Sequence, residues 1–294
     1  MGQKPADIPE DALRTLYAQG LSQKRIALIL GCGQSAVWRR MRKLGIPTRN
    51  KSENSLRVSQ HETLRHDFDG TPQMKAYMLG FCKGDIHAWK RGENSETIRL
   101  MSSTTRPEQV ELFRTIFRPY GHVYVSNPDK VGALHMAAYV NLSMSFLLDK
   151  EDSIPGWIME SSDLFFAFFA GYVDAEAHIG VYNNAAVFKI DTYQKNILLQ
   201  SYVMFCKVGM QGPEPYVCTK QGYANKHGYR YRHDLWRLKV GAKSSLLILF
   251  ELLRPYLMHK DRIRQMEAAI INIESRNLKM AAKKNARKML DECD

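Results

Sequence analysis

The sequence lacks the features of a disulfide-rich, zinc-ribbon or membrane-spanning protein. Its five cysteines are odd in number and form no Cys-x-x-Cys pair, which argues against a disulfide framework and against a zinc ribbon. The longest apolar run, near residues 164–173, is too short to cross a bilayer, and the first ten residues contain no apolar signal core. We therefore expect free thiols in a reducing compartment, which would be the cytoplasm or an organellar matrix.

Positive charge is abundant but unevenly distributed. The 294 residues carry a net charge of +12, and a basic chain of this kind favours an anionic partner. Residues 1–60 contain 11 Lys and Arg against 4 Asp and Glu, and residues 220–294 contain 17 against 8. Residues 61–219 contain 14 against 18, so both ends are basic and the middle is not.

The N-terminal segment has the pattern of three short amphipathic helices and looks like a helix-turn-helix. Residues 11–44 are interrupted at Gly20 and around Gly31, and Ser22 can cap the second helix. The predicted inward side chains are Ile26, Ala27, Leu30, Val37 and Met41. The predicted outward side chains, which suit phosphates and base edges in a major groove, are Gln34, Ser35, Trp38, Arg39 and Arg42. We predict a DNA-binding domain over residues 1–50, with a small protein-interaction module as the alternative.

Two further segments have compositions unlike their surroundings. Residues 51–70 are polar and lack a sustained apolar period, which predicts a linker. Residues 277–294 are basic and could form a helix on a phosphate backbone or a frayed terminus.

Two helices with similar small-residue patterns are predicted to pack on each other. The helix over residues 163–176, with Ser161 or Ser162 as its cap, is apolar nearly all round and should be buried. The helix over residues 71–85 begins with Thr71 as a cap and Pro72 at its first position. Small residues would allow backbone contact between the helices; they are Gly80 and Gly84 in the first, and Gly171 and Ala175 in the second.

The ends of both helices resemble the LAGLIDADG motif of homing endonucleases. The second copy reads FAGYVDAEA over residues 169–177, and the first reads MLGFCKGDI over residues 78–86. Lys83 replaces the first acidic residue of the pattern, and Ile86 and Ala177 replace its closing glycine. The second acidic position is filled in both copies, by Asp85 and Glu176.

An order of helix, two strands, helix, two strands, helix is predicted twice. The first copy covers residues 71–152 and the second residues 153–276, which implies two pseudo-symmetric subdomains. The resemblance implies an α+β fold in which each subdomain adds a curved antiparallel sheet to a DNA-binding saddle. It also implies a monomer with an internal pseudo-two-fold axis.

Basic residues on the predicted strands are candidates for contacts with DNA. Arg230 and Arg232 have the opposite parity to Arg237 and Lys239, so a bulge or turn near residues 233–234 is needed if all four are to face one way. An ordinary solvated sheet face is the alternative. The candidates are Lys90, Arg99, Lys189, Arg230, Arg232, Arg237 and Lys239.

The two acids predict a site for hard divalent cations. Parallel packing of the motif helices would bring Asp85 and Glu176 together at the negative ends of both helix dipoles, where a phosphodiester would be repelled. Two or more Mg²⁺ ions could be held by these carboxylates, by the backbone carbonyls of Gly84 and Ala175 and by waters, and would neutralise charge and activate water. The resemblance also implies basic residues near the site, for which Lys150 and Lys260 are the candidates by position.

These observations predict a monomeric, Mg²⁺-dependent, sequence-specific endonuclease of double-stranded DNA. Because the chain lacks the terminal nucleophile and Asn-based junction of an intein, we expect a free-standing protein. One alternative is a DNA-binding regulator that has lost cleavage, which the Lys83 substitution and the acidic middle favour. Another is an RNA-splicing maturase on the same scaffold.

Overall fold

The structure is a computed structural model that describes residues 8–49, 65–225, 228 and 230–291, with side chains up to residue 283. The chain forms two compact units, Met1–Arg65 and His66–Asp294, which are described separately below. The predicted linker over residues 51–70 lies outside the described residues except for its last six.

The N-terminal unit consists of three short helices around a small apolar core. They are α1 (Glu10–Ala18), α2 (Gln23–Ile29) and α3 (Gln34–Lys43). Ser22 caps α2, because its hydroxyl accepts a hydrogen bond from the backbone N–H of Arg25. Gly31 has a φ of 62° between α2 and α3, a conformation that favours glycine. The buried residues include four of the five predicted ones, Ile26, Ala27, Val37 and Met41, while Leu30 packs against them half-buried.

The larger unit contains the same series of elements twice. The first series is α4 (Pro72–Asp85), β1 (His87–Lys90), β2 (Ile98–Thr104), α5 (Pro107–Phe117), β3 (His122–Val125), β4 (Leu134–Val140) and a 3₁₀ helix (Leu142–Leu148). A short helix, α6 (Gly156–Met159), leads to the second series. That series is α7 (Ser162–Glu176), β5 (Ala177–Tyr182), β6 (Ala185–Thr192), α8 (Lys195–Lys207), β7 (Tyr216–Thr219), β8 (Leu235–Val240) and α9 (Lys243–Leu253), and α10 (Lys260–Asp291) follows it.

Strand order makes the two series equivalent. Each forms a four-stranded antiparallel sheet, in the orders β1-β2-β4-β3 and β5-β6-β8-β7. The first, second, fourth and third strands of each series thus follow one another across each sheet. The predicted fold class, an α+β chain of two pseudo-symmetric subdomains, is confirmed.

The two motif helices pack against each other at backbone contact. A Cβ atom added at Gly80 would fall inside the carbonyl group of Phe168, and one added at Gly171 would fall inside the carbonyl group of Tyr77. Both helices begin as predicted, because the Thr71 hydroxyl accepts from Met74 N and the Ser161 hydroxyl accepts from Leu164 N. The helix pair lies in the core that the two subdomains share.

Each sheet has one buried face and one open face. The buried side chains alternate along the strands, as in Ile98 and Leu100 of β2 and in Phe188 and Ile190 of β6. The α10 helix packs along β5 and β6, where the Asn272 amide donates to the side-chain oxygen of Asn184 at 3.1 Å. This hydrogen bond joins the helix to the turn between the two strands.

One predicted boundary was wrong, the start of a strand that the sequence pattern indicates over residues 229–240. Strand β8 begins at Leu235 and not near residue 229, because the Asp234 carboxylate accepts from Gln221 N at 2.8 Å and closes the preceding loop. A bend at residues 232–233 supplies the turn that Arg230 and Arg232 would need to face the same way as Arg237 and Lys239, and the partner strand has a further irregularity between Val217 and Thr219. The last helix continues through the basic segment as far as Asp291, and a helix is one of the two forms expected for that segment. Within the described part of the chain, no helix has the length and apolar character needed to span a membrane.

Candidate active site and nucleic-acid interface

The site begins with two carboxylates at the ends of the packed motif helices. Asp85 is the last residue of α4 and Glu176 is the last residue of α7. The Glu176 side chain lies over Gly84 of the opposite helix, since a Cβ atom added at Gly84 would meet Glu176 Cγ at 3.0 Å and Oε1 at 3.7 Å. The small residue at position 84 therefore makes room for the acid of the other subdomain.

The two carboxyl groups influence each other electrostatically. Burial and, after it, the charge of Asp85 raise the pKa of Glu176 to about 7, against the opposing charge of Arg262. Asp85 remains open to solvent on one side, yet the surrounding protein raises its pKa to about 6 against the opposing charges of Arg262 and Arg106. Two mutually repelling carboxylates at helix C-termini form a site that a cation would stabilise.

Asp85 has a partner that has no equivalent in the second subdomain. The amide of Gln109 donates to Asp85 Oδ2 at 2.9 Å. Gln109 is the third residue of α5, and the third residue of the equivalent helix α8 is the buried Ile197. No described side chain donates a hydrogen bond to Glu176. One carboxylate is therefore held by a side-chain amide and the other is held by packing alone.

Two arginines near the carboxylates were not predicted from the sequence. Arg262 is 5% exposed; its Nε donates to Val173 O at 3.3 Å, and its Nη1 donates to Gln265 Oε1 at 3.0 Å. Burial lowers the pKa of Arg262, while the charges of Asp174 and Asp85 raise it. Arg106 and Arg262 lie next to the starts of α5 and α10, far from the motifs in sequence, so no sequence pattern links them to the acids.

Lys83 and Asp174 occupy the position two residues before each acid, with opposite charges and the same role. Asp174 Oδ2 accepts from the backbone N–H groups of Met258 and His259 at 2.8 and 3.0 Å, and from Tyr77 Oη of the other motif helix at 2.6 Å. Lys83 Nζ donates to Glu151 O at 2.8 Å and lies 3.1 Å from the carboxylate of Asp149.

Both side chains thus anchor the loop that follows the last helix of their own series. The substitution of Lys83 for an acid is matched by a carboxylate and a carbonyl in the loop that it contacts. Neither side chain hydrogen-bonds to the pair Asp85 and Glu176.

The residues present fit a hard divalent cation that also binds water and substrate. The two carboxylates supply one ligand from each subdomain, and the last-turn carbonyls of Gly84 and Ala175 lie where a helix leaves its carbonyls without helical partners. Among the described residues, no three His, Cys, Asp or Glu side chains cluster closely enough to enclose a metal on their own. Such a set suits Mg²⁺, which keeps waters and substrate oxygens in its shell.

The two lysines predicted near the site are exposed. Lys150 follows the 3₁₀ helix, and Lys260 begins α10 and lines a cleft with Glu108 and Glu111. The cations that lower the pKa of Asp85 are Arg262 and Arg106. A catalytic role for Lys150 and Lys260 stays a prediction.

In the N-terminal unit, helix α3 presents a basic surface. All five predicted contact residues are exposed, namely Gln34, Ser35, Trp38, Arg39 and Arg42. The Arg42 guanidinium lies 5.5 Å from the centre of the Trp38 ring, and the ring is 44% exposed. The surface combines cations with an aromatic face, as is typical of nucleic-acid contacts.

The open face of the second sheet carries several of the predicted basic residues. His178, Lys189 and Lys239 form one row across three strands. In the next row, Arg237 donates its Nε and Nη2 to the two carboxylate oxygens of Asp191, at 2.6 and 2.7 Å. Arg230 and Arg232 are exposed in the segment before β8 and outside any named strand, so strand parity does not constrain them.

The open face of the first sheet has a different composition. Arg99 lies between two aromatic rings, 5.4 Å from the centre of Trp89 and 5.3 Å from the centre of Tyr139. Lys90 pairs with the buried Ile98 and has the parity of the core face, so the structure separates it from Arg99; its Nζ donates to Glu93 O.

Comparison with known proteins finds similarity only at the level of structure. No protein-family model and no curated protein matches the chain. Solved structures that resemble it include I-DmoI in complex with DNA and Mn (TM-score 0.44, 13% identity, 62% of this chain and 97% of that one). Others are the LAGLIDADG homing endonuclease I-GzeII with its DNA target (0.42, 13%, 70% and 92%) and the N-terminal LAGLIDADG domain of DUF199/WhiA (0.43, 12%, 67% and 88%).

These solved structures belong to the family that the two motifs resemble. The TM-scores lie below 0.5 and the identities below 25%, so the similarity carries no argument about activity. The candidate function is argued from the side chains themselves.

Proposed function

We propose that the chain is a sequence-specific endonuclease of double-stranded DNA, built on the LAGLIDADG plan and dependent on Mg²⁺. The observation that carries the proposal is the pair Asp85 and Glu176. These acids end two helices that pack at backbone contact, and each comes from a different subdomain.

The site residues divide the work of phosphodiester hydrolysis. Bound Mg²⁺ would supply charge neutralisation at the scissile phosphate and an activated water. Asp85 and Glu176 would hold the cation in their ionised forms, and Gln109 orients Asp85 by donating to one of its oxygens. Arg262 and Arg106 add fixed positive charge beside the carboxylates, where a phosphodiester would otherwise be repelled.

DNA contacts are proposed on three surfaces. In the larger unit, Lys189 and Lys239 of the second sheet form no salt bridge with a described residue and suit phosphates, while Arg237 is already paired with Asp191. In the N-terminal unit, α3 presents the surface that would extend or anchor the target site. The third surface is the open face of the first sheet, around Arg99. A monomer acting through its internal pseudo-two-fold symmetry would place one sheet on each half of the target.

A binding protein without cleavage is the second candidate, and one observation favours it. The hydrogen bond from Gln109 uses one oxygen of Asp85. If this bond persists on DNA, the first carboxylate has less capacity for metal, and the protein would bind its site without cutting it.

The deciding experiment exposes the purified full-length chain to a randomised double-stranded DNA library with Mg²⁺. Sequencing of the ends reports cleavage, and recovery of bound duplexes reports sequence selection in the same sample. Cut ends at one enriched sequence are the expected result.

The outcomes separate the two candidates. Enrichment of a sequence without cut ends would contradict the nuclease and support the binding protein. A parallel sample with EDTA is the control, since cutting that survives removal of divalent metal would contradict the role given to the two acids.

A further inference from the structure

The guanidinium of Arg99 is held in one orientation by two aromatic rings. Arg99 Cζ lies 5.4 Å from the centre of the Trp89 ring and 5.3 Å from the centre of the Tyr139 ring. These residues are cross-strand partners in a single row, with Trp89 on β1 and Tyr139 on β4 on either side of Arg99 on β2. Trp89 is itself in ring contact with His87 at 4.7 Å. Cation–π contacts on both sides restrict the rotation of the arginine.

The hydrogen-bonding capacity of Arg99 is unused within the described residues. Its Nε is buried and has no hydrogen-bond partner. It forms no ion pair with a described residue, unlike Arg237 of the second sheet, whose Nε and Nη2 are both taken by Asp191.

Burial of Nε limits how a ligand can approach Arg99. A carboxylate or phosphate that binds an arginine from the side uses Nε together with Nη2, which is how Asp191 binds Arg237. That edge is closed at Arg99. Only the end of the guanidinium, with its Nη1 and Nη2 groups, remains for a partner that offers two acceptors side by side.

The surroundings favour a base over a phosphate as this partner. In the row of Arg99 and in the next row, formed by His87, Met101, Ala137 and Tyr124, Arg99 is the only Lys or Arg. A phosphate site is usually assembled from several cations or backbone N–H groups, whereas the O6 and N7 atoms of guanine are the paired acceptors that an arginine reads in the major groove. A guanidinium held between two rings, with no second Lys or Arg in these two rows, fits the second case.

We propose that the clamp formed by Trp89, Arg99 and Tyr139 reads one guanine in the half of the target that faces the first sheet. This inference rests on the proposed DNA-binding function and adds a specificity-determining residue to it. The second sheet, with Lys189 and Lys239 exposed or half-exposed on its open face, would supply more of the phosphate contacts.

The test compares full-length wild type with Arg99→Lys, which keeps the charge and loses the planar fork. Both proteins first select from a randomised duplex library without divalent metal. Affinities are then measured for the selected duplex, for duplexes with each other base pair at the preferred guanine, and for one in which 7-deazaguanine removes the N7 acceptor. Arg114→Lys, an exposed arginine on α5, is the matched control.

The expected result is a guanine whose replacement weakens wild-type binding about tenfold, with a loss of several-fold for 7-deazaguanine. Arg99→Lys should show neither preference at that position and should keep the preferences at all others, and Arg114→Lys should behave as wild type. Arg99→Gln, as a second variant, should lose the guanine preference as well.

Two results would overturn the inference while leaving the proposed function intact. One is an unchanged guanine preference in both Arg99 variants. The other is an equal loss for every duplex in Arg99→Gln with a shallower salt dependence, which marks a phosphate contact. If wild type enriches no sequence at all, the proposed function fails, and this inference fails with it.

Discussion

Near the ends of the two motif helices, side chains of opposite charge anchor equivalent loops. Asp174 anchors its loop through a carboxylate that accepts two backbone N–H groups, whereas Lys83 anchors the equivalent loop through an ammonium that meets a carbonyl and Asp149. Two residues later, Glu176 and Asp85 lie in the same place in both copies. The position occupied by Lys83 in one copy and by Asp174 in the other is thus a structural anchor. Its change of charge leaves the acid two residues later at the end of its helix.

The comparison also shows where the copies are not interchangeable. Asp174 reaches across to Tyr77 of the other motif helix, and no described residue gives Lys83 such a bond. Gln109 holds Asp85, and no described side chain holds Glu176 in this way. The predictions below test this division, beginning with the largest expected effect.

The two acids should be equally necessary. Asp85→Asn and Glu176→Gln remove one metal-binding charge each and keep the side-chain shape, so each should lower the cleavage rate by at least about 10³-fold, or about 4 kcal/mol of activation free energy. Single-turnover cleavage of the selected duplex measures the rate, and equilibrium binding of the same duplex should change little. If a variant of either acid cuts at the wild-type rate, that acid has no role in cleavage.

The contact between the two motif helices should not tolerate a larger side chain at the glycine of either copy. Gly171→Val would force a side chain into the backbone of the opposite helix, and we expect a loss of more than about 3 kcal/mol in the free energy of unfolding of the larger unit. Gly80→Val should do the same. Gly92→Ala, where an added Cβ meets nothing within 4 Å, is the control for thermal unfolding followed by circular dichroism. A Gly171→Val protein that melts like the control would exclude backbone contact.

The two anchors should differ in their energetic contribution. Asp174→Ala leaves three donors without an acceptor, two of them in buried residues, and should cost about 3 kcal/mol. Lys83→Met keeps the apolar stem, and the side chain of Asp149 is 30% exposed and can be hydrated, so the cost should be within about 1 kcal/mol. Denaturant unfolding measures both. Equal costs for the two variants would show that the anchors are equivalent after all.

The amide of Gln109 should matter for metal and not for folding. Gln109→Leu removes a donor to Asp85 and places an apolar residue where the second subdomain has Ile197. Divalent metal should bind about tenfold more weakly, which calorimetric titration with Mn²⁺ can measure. An increase in affinity and in cleavage would instead show that the bond restrains Asp85, as the binding-protein reading requires.

The smallest expected effect is on the pH dependence of stability. The pKa values of Asp85 and Glu176 are about 6 and about 7, against ordinary values of 3.8 and 4.5. Between pH 4 and 7 the folded chain therefore binds more protons at these groups than the unfolded chain, and the free energy of unfolding falls as the pH rises.

Without metal, Tm should fall by about 2–4 °C more between pH 5 and pH 8 in wild type than in the variant carrying both Asp85→Asn and Glu176→Gln. Added Mg²⁺ should raise the Tm of wild type at pH 8 and recover this loss, because it binds the ionised carboxylates. Parallel pH profiles for the two proteins would contradict the raised pKa values.

Local sequence patterns were sufficient for the helices and for the repeat. A cap at Thr71 followed by Pro72, and the long apolar run after Ser161, act within a few residues of themselves, so the helices that they begin could be predicted. The pairing of Gly80 with Gly171 followed from small residues in two similar helices. The start of β8 was not predicted, since it follows a loop in which Gln221 N donates to Asp234, a contact between residues 13 positions apart.

The sequence by itself determined that two equivalent acids end two equivalent helices. Only the tertiary structure decided what surrounds them. Gln109 hydrogen-bonds to Asp85, and Arg106 and Arg262 act on it electrostatically, all from segments distant in the chain; the orientation of Arg99 depends on rings from two neighbouring strands. Short-range rules such as capping and periodicity act along the chain, whereas these contacts form between segments that come together only when the two sheets and the helix pair have folded.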